Sequence, residues 1–112
     1  MRILIVDDSK EMRNIIVSLL DARNLEVFEL EDGDEAVIQY GAIKPDWVLM
    51  DIKMKRMNGL EAAKKIKENY PDAHIAVVTK YDNKFFRMKA AKAGAEMFVS
   101  KQNLLELKKI IT

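Results

Sequence analysis

The 112-residue sequence contains no cysteine, one histidine, two prolines and four glycines. Without cysteine there are no disulfide staples, no thiol nucleophile and no cysteine-ligated zinc. The lone histidine, His74, leaves a multi-histidine metal centre without ligands. Long hydrophobic runs are missing too. The longest are the four-residue stretches Ile3–Val6, Trp47–Met50 and Ile75–Val78, which are too short for a membrane span or a signal-peptide core. The chain is therefore read as cytoplasmic. Nor does one sign of charge dominate: nineteen Lys and Arg face eighteen Asp and Glu, a net charge of +1. That balance argues against a chain that binds nucleic acid or a membrane surface by itself.

What is present fits one globular domain over residues 1–112, with 49% hydrophobic and 33% charged residues. Surface scaling gives a folded accessible area of ~6,300 Å², enough burial for an ordinary core. The near-neutral total hides a division. Residues 1–51 carry twelve acids and five bases, net −7, and residues 52–112 carry six acids and fourteen bases, net +8. Such asymmetry is worth pursuing, although a chance distribution of solvated surface charge accounts for it equally simply.

The three apolar runs are strand-sized and rich in β-branched residues, the pattern of strands buried on both faces. Helical patterns separate them. Ser9 is placed to cap a first helix whose Met12, Ile15, Ile16, Leu19 and Leu20 are expected to form one buried face. Residues 25–30 read as a more polar strand, and Gly33-Asp34 opens a helix carrying Val37 and Tyr40. Gly59 opens another that Pro71 stops, and His74–Thr79 reads as the fourth strand. A helix over residues 83–93 ends at Gly94, a natural left-handed terminator. Residues 95–100 form a last strand, and Asn103 with Glu106 predicts a capping box for a final helix to about Ile111. Five strands alternating with five helices imply an α/β doubly wound parallel sheet. With the two polar strands at its edges the order is 2-1-3-4-5, and ligands are expected at the carboxyl ends of strands one and three.

Those ends are Val6-Asp7-Asp8 and Met50-Asp51. Aspartate disfavours strands, and carboxylates packed this closely repel one another. Helix capping accounts for Asp8 but not for Asp7 and Asp51. An all-oxygen carboxylate cluster is hard-cation chemistry suited to Mg²⁺, with Mn²⁺ as the substitute. Thr79 ends strand four and Lys101 follows strand five, adding a hydroxyl and a cation at the same rim. Together they suit the oxygens of a phosphoryl group. No glycine-rich phosphate loop occurs, so nucleotide binding is not expected. A phosphoryl group arriving here would land on a carboxylate as an acyl phosphate.

At this point the sequence resembles the receiver domain of two-component response regulators. The resemblance runs over residues 2–111. It rests on ILIVDDS at 3–9, EDGDEAV at 31–37, PDWVLMDIKM at 45–54 with Asn58-Gly59, Thr79, and AGAEMFVSK at 93–101. It implies a flavodoxin-like (βα)5 fold with Asp51 as phosphoacceptor. By the same resemblance, Asp8 and Asp51 would bind Mg²⁺ directly, Asp7 would act through water, and the Lys53 backbone carbonyl would complete the set. Thr79 corresponds to the switch hydroxyl, Lys101 to the lysine that pairs with the acceptor, and Phe98 to the switch aromatic. The implied donors are a sensor histidine kinase or a histidine phosphotransfer protein. The implied target is a downstream protein or a fused output domain, reached through the surface of helix four, strand five and helix five, which could also support a dimer. The product is the protein's own modified state, so the chain reads as a switch rather than an enzyme.

Lys55, Lys80 and Gln102 depart from the family's usual proline, small residue and proline. None removes a reacting group. Lys53, Lys55, Lys80 and Arg56, with Tyr81, are expected to surround the acceptor and shield an acyl phosphate from water. Two other readings compete: a phosphorylation-independent interaction module, and a Mg²⁺-dependent phosphohydrolase with an aspartyl intermediate. His74 is expected to be a surface residue, and Phe85-Phe86 to place one ring in the core and leave the other for a partner.

Overall fold

In a computed structural model that describes residues 1–20 and 24–110, the aliphatic runs become five parallel strands: β1 (Arg2–Val6), β2 (Glu26–Leu30), β3 (Trp47–Met50), β4 (Ile75–Thr79) and β5 (Met97–Ser100). The helices are α1 (Lys10–Leu20), α2 (Gly33–Ile43), α3 (Gly59–Asn69) and α4 (Lys84–Lys92), followed by a 3₁₀ helix, Leu104–Ile110. Strand order is β2-β1-β3-β4-β5, with the two polar strands at the edges as their composition implies. The accessible surface, 6479 Å², lies close to the expected area.

Side chains alternate across the pleat and so build two core layers. Leu4, Val6, Val48, Met50 and Ile75 meet α2 and α3 through Ala36, Tyr40, Ala62, Ala63 and Ile66. Ile3, Ile5, Leu49, Ala76 and Val78 meet α1 and the 3₁₀ helix through Ile16, Leu20, Leu107 and Ile110. Helix α4 sits over Val77 and Ile52, and Ala90 is its one fully buried residue.

The buried stripe of α1 differs from the expected one. Arg13, Ile16 and Leu20 are buried, while Ile15 is 44% exposed. At ~100° per residue, Ile15 lies roughly 130° from the middle of a stripe through residues 13, 16 and 20. The helix has turned to bring in Arg13.

Turn chemistry behaves as its residues require. Ser9 Oγ accepts from the Met12 N–H at 3.1 Å, Asn58 Oδ1 from Glu61 N–H at 2.9 Å and Asn83 Oδ1 from Phe86 N–H at 2.9 Å. Gly94, at φ 99°, supplies the left-handed residue after α4. With so little of α4 buried, its cap carries weight. Asn83→Ala should lower stability by about 1 kcal/mol, read as a lower urea midpoint with an unchanged slope.

The final helix departs from the prediction. Asn103 Nδ2 donates to Glu106 Oε1 at 2.6 Å in place of capping an N–H, and the segment winds as a 3₁₀ helix. A three-residue repeat places Leu107 and Ile110 one above the other, and both are buried. The expected end at Ile111 lies outside the described residues.

Candidate functional site

β1 and β3 are neighbours in register, Val6 against Met50, so the residues that follow them meet at one rim. The Asp51 N–H donates to the Val6 carbonyl at 2.9 Å, which ties the two strand ends together. One carboxylate oxygen from each of Asp7, Asp8 and Asp51 lies within 4.8 Å of the others. Asp7 and Asp51 are buried and Asp8 is exposed. Lys101, delivered by the end of β5, places Nζ 2.8 Å from Asp7 Oδ2 and 3.1 Å from Asp51 Oδ2. The other oxygens are also held: Ser9 N–H donates to Asp7 Oδ1 at 2.9 Å and Ile52 N–H to Asp51 Oδ1 at 2.8 Å.

Burial pushes the Asp51 carboxyl above the ordinary range, and the nearby Asp7 charge pushes the same way, while Lys101 pulls it down without cancelling them. Burial works to lower Lys101, but Asp7 and Asp51 outweigh it and hold the ammonium above its ordinary value. The site thus carries two buried carboxylates on one lysine, with a third carboxylate open to solvent. An all-oxygen donor set with surplus negative charge fits a divalent hard cation.

The pocket above these groups has a volume of about 460 Å³ and is lined by the three aspartates, Lys53, Lys80, Tyr81 and Lys101 among others. Tyr81 collects two cations, with Lys53 Nζ 4.8 Å and Lys80 Nζ 5.5 Å from its ring centre. The expected ring of positive charge is incomplete. Arg56 turns away to form a two-pronged pair with Asp34 at 2.7 and 3.1 Å, and Lys55 does not line the pocket.

Thr79 and Phe98 stand just outside. Thr79 is fully buried at the end of β4, its Oγ1 accepting from the Tyr81 N–H at 3.2 Å. Phe98 is half-buried against the cluster of Ile52, Val77 and Ala90. The Arg87 guanidinium covers its ring at 4.7 Å while pairing with Asp82. His74 is at the surface with its Nδ1 on Glu96, and Phe85 is exposed while Phe86 packs inward.

Residues 3–112 match the response regulator receiver domain family. The chain belongs to this family. It is 40% identical over 100 residues to the chemotaxis protein CheY of Halobacterium salinarum, covering 89% of this chain and 83% of that one. Against CheY of Thermotoga maritima the figure is 41% over 101 residues, covering 89% and 84%. Among solved structures it resembles the response regulator domain of Thermotoga maritima CheB, with TM-score 0.90, 30% identity and coverage of 99% and 92%.

Two residues of this receiver domain escaped the reading of its sequence. Asp32 is buried, and its carboxylate accepts from the N–H groups of Arg56 at 2.9 Å and Met57 at 2.8 Å. Burial raises its carboxyl, but these backbone bonds outweigh it and leave it below the ordinary range. Asp32 thereby pins the β3–α3 loop that carries Lys53. Arg13 is also buried. Its guanidinium donates to the Asp7 carbonyl at 2.5 Å and to Glu29 at 3.0 Å. The spacing 13, 16, 20 was the signal that could have found it.

Proposed function

We propose that this receiver domain takes a phosphoryl group onto the Asp51 carboxylate. The observation that carries the reading is the seating of Lys101 between Asp7 and Asp51, which sets a cation against the acceptor carboxylate inside a buried rim. In the transfer an Asp51 oxygen attacks phosphorus, and the bond from phosphorus to the donor's histidine nitrogen, or to an acyl oxygen, breaks with its electron pair leaving on the donor. Asp8, Asp51, Asp7 through water and the Lys53 carbonyl are the groups that would hold Mg²⁺, which supplies positive charge for the phosphoryl oxygens. Lys101 is within reach of those oxygens, and Thr79, whose Oγ1 accepts from the Tyr81 N–H two residues on, is the hydroxyl available to them.

The same geometry supports a switch toward α4 and β5. Tyr81 lies at the pocket rim and packs on Phe86 with ring centres 5.7 Å apart. Phe98 shares a cluster with Phe86. A hydroxyl drawn from the Tyr81 N–H to a phosphoryl group would disturb both rings, a bistable packing change biased by local charge. A histidine kinase or phosphotransfer protein would supply the group in the cytoplasm, and a downstream protein or fused output domain would read the altered α4, β5 and 3₁₀ surface.

Acetyl phosphate with Mg²⁺ should add one phosphoryl group by intact mass, and chelation of the metal should prevent it. No gain in mass, together with no spectral change on adding beryllofluoride, would leave an interaction module in place of a switch. Steady turnover of an external phosphoester would instead assign a hydrolase.

Lys53, Lys80 and Tyr81 cover the approach that a hydrolytic water needs. Lys80→Ala should therefore shorten the life of the acyl phosphate several-fold while leaving the folded protein's unfolding free energy within about 1 kcal/mol of wild type. The decay of the phosphorylated mass peak measures it, and an unchanged half-life sinks the idea.

A further inference from the structure

A second cavity lies between α3 and α4. It has a volume of about 510 Å³ and shares no lining residue with the acid pocket. Leu60 and Ala93 contribute apolar surface, and Phe85 stands beside them 55% exposed. Around these are Lys64, Lys89, Lys92 and one acid, Glu61. The Glu61 charge is engaged by Lys65 one turn along α3, at 3.8 Å. Among the described residues no carboxylate pairs with Lys64, Lys89 or Lys92, and Lys89 Nζ rests 5.5 Å from the Phe85 ring centre. The groove therefore joins a half-exposed aromatic ring to three cations that no carboxylate pairs with among the described residues.

We propose that this groove docks an acidic, amphipathic helical segment of a partner protein. An apolar side chain would seat against Phe85 and Leu60, with carboxylates facing Lys64, Lys89 and Lys92. The spacing of 85, 89 and 92 extends the contact over two turns of α4, ~10 Å, which matches two turns of an incoming helix. A nucleic acid fits less well: Glu61 stands in the wall, and the lysines cluster about an apolar centre instead of tracking a phosphate backbone. The surface is distinct from that of β5 and the 3₁₀ helix, where Leu105 is exposed and does not line the groove.

The test uses the full chain and a fluorescein-labelled, end-blocked peptide of about four helical turns, with leucines at i and i+4 and glutamates on the remaining faces. Fluorescence anisotropy should give a dissociation constant in the range of about 10–100 μM at low salt, weakening at least threefold when salt is raised. Phe85→Ala should weaken binding about tenfold, and Lys89→Gln with Lys92→Gln about fivefold. Leu105→Ala should leave it unchanged. Phe85 and both lysines are exposed, so circular dichroism should show all variants folded. No binding, equal binding of a peptide with lysines for glutamates, or equal competition by oligothymidine would each overturn the proposal. So would a loss in Leu105→Ala as large as in Phe85→Ala. No phosphodonor is present, so failure here leaves the phosphorylation of Asp51 standing.

Discussion

Asp51→Asn is expected to gain no mass from acetyl phosphate and Mg²⁺, and to melt above the wild-type protein. The first effect follows from chemistry, since the amide has no carboxylate oxygen to form the acyl phosphate. The second follows from electrostatics. Burial and the Asp7 charge raise the Asp51 carboxyl above its ordinary value of 3.8. An acid whose folded value lies above its unfolded value binds its proton more firmly in the folded state. Its ionisation therefore removes stability as the pH climbs from about 3.8 through the folded value. Above the folded value the loss is complete, and an uncharged residue of the same shape recovers it. The gain should be about 1 kcal/mol, or roughly 4 °C in a domain of this size. Mg²⁺ should raise the melting temperature of the wild type by mass action, and that of Asp51→Asn much less. A variant that melted lower than wild type would mean that the Lys101 attraction outweighs burial and the Asp7 repulsion, contrary to this account.

Gly59→Ala should be the most destabilising of the small substitutions near the site. A Cβ at Gly59 would stand 1.7 Å from the Asp51 carbonyl oxygen and 2.7 Å from Met50 Cγ. Neither can yield cheaply. Met50 is fully buried, and Asp51 is fixed to Val6 through its N–H. The Gly59 N–H also donates to the Ile52 carbonyl at 2.7 Å, closing the loop that returns from β3 to α3. A methyl group must push the start of α3 away from the strand end, at a cost of about 3 kcal/mol or more. Urea denaturation measures that cost. The displaced Asp51 backbone should also slow phosphorylation by acetyl phosphate in the fraction that remains folded. Full stability and full rate together would show that the helix start moves freely, and the close approach would then have no functional weight.

Much of the fold was legible because its determinants are local. Apolar runs of four residues, Ser9, Gly59, Gly94 and Pro71 act within one turn of themselves, and they located the strands and helices to within a few residues. Polar β2 and β5 pointed to the edges because their outer rims meet water. The end of the chain was misread for the opposite reason. Asn103 and Glu106 have the spacing of a cap, but which atoms pair depends on where Leu107 and Ile110 must sit against α1 and the sheet.

The candidate site divides in the same way. Asp7, Asp8 and Asp51 could be brought together from sequence because a parallel sheet in this order leaves its strand ends side by side. The sequence by itself thus determined the order of elements, the chemistry at the strand ends and the family resemblance, all of which depend on periodicity and position along the chain. The tertiary structure alone decided which partners charged side chains take. Lys101 takes Asp7 as well as Asp51, and Arg56 leaves the pocket for Asp34 across 22 positions. Asp32 grips the β3–α3 loop, and α1 rotates to bury Arg13 rather than Ile15. A long, charged side chain can satisfy itself in several directions at similar free energy, so the packing around it makes the choice. The same holds for the sequence's −7 and +8 halves. Only the folded chain gathers three of those later cations around one exposed phenylalanine.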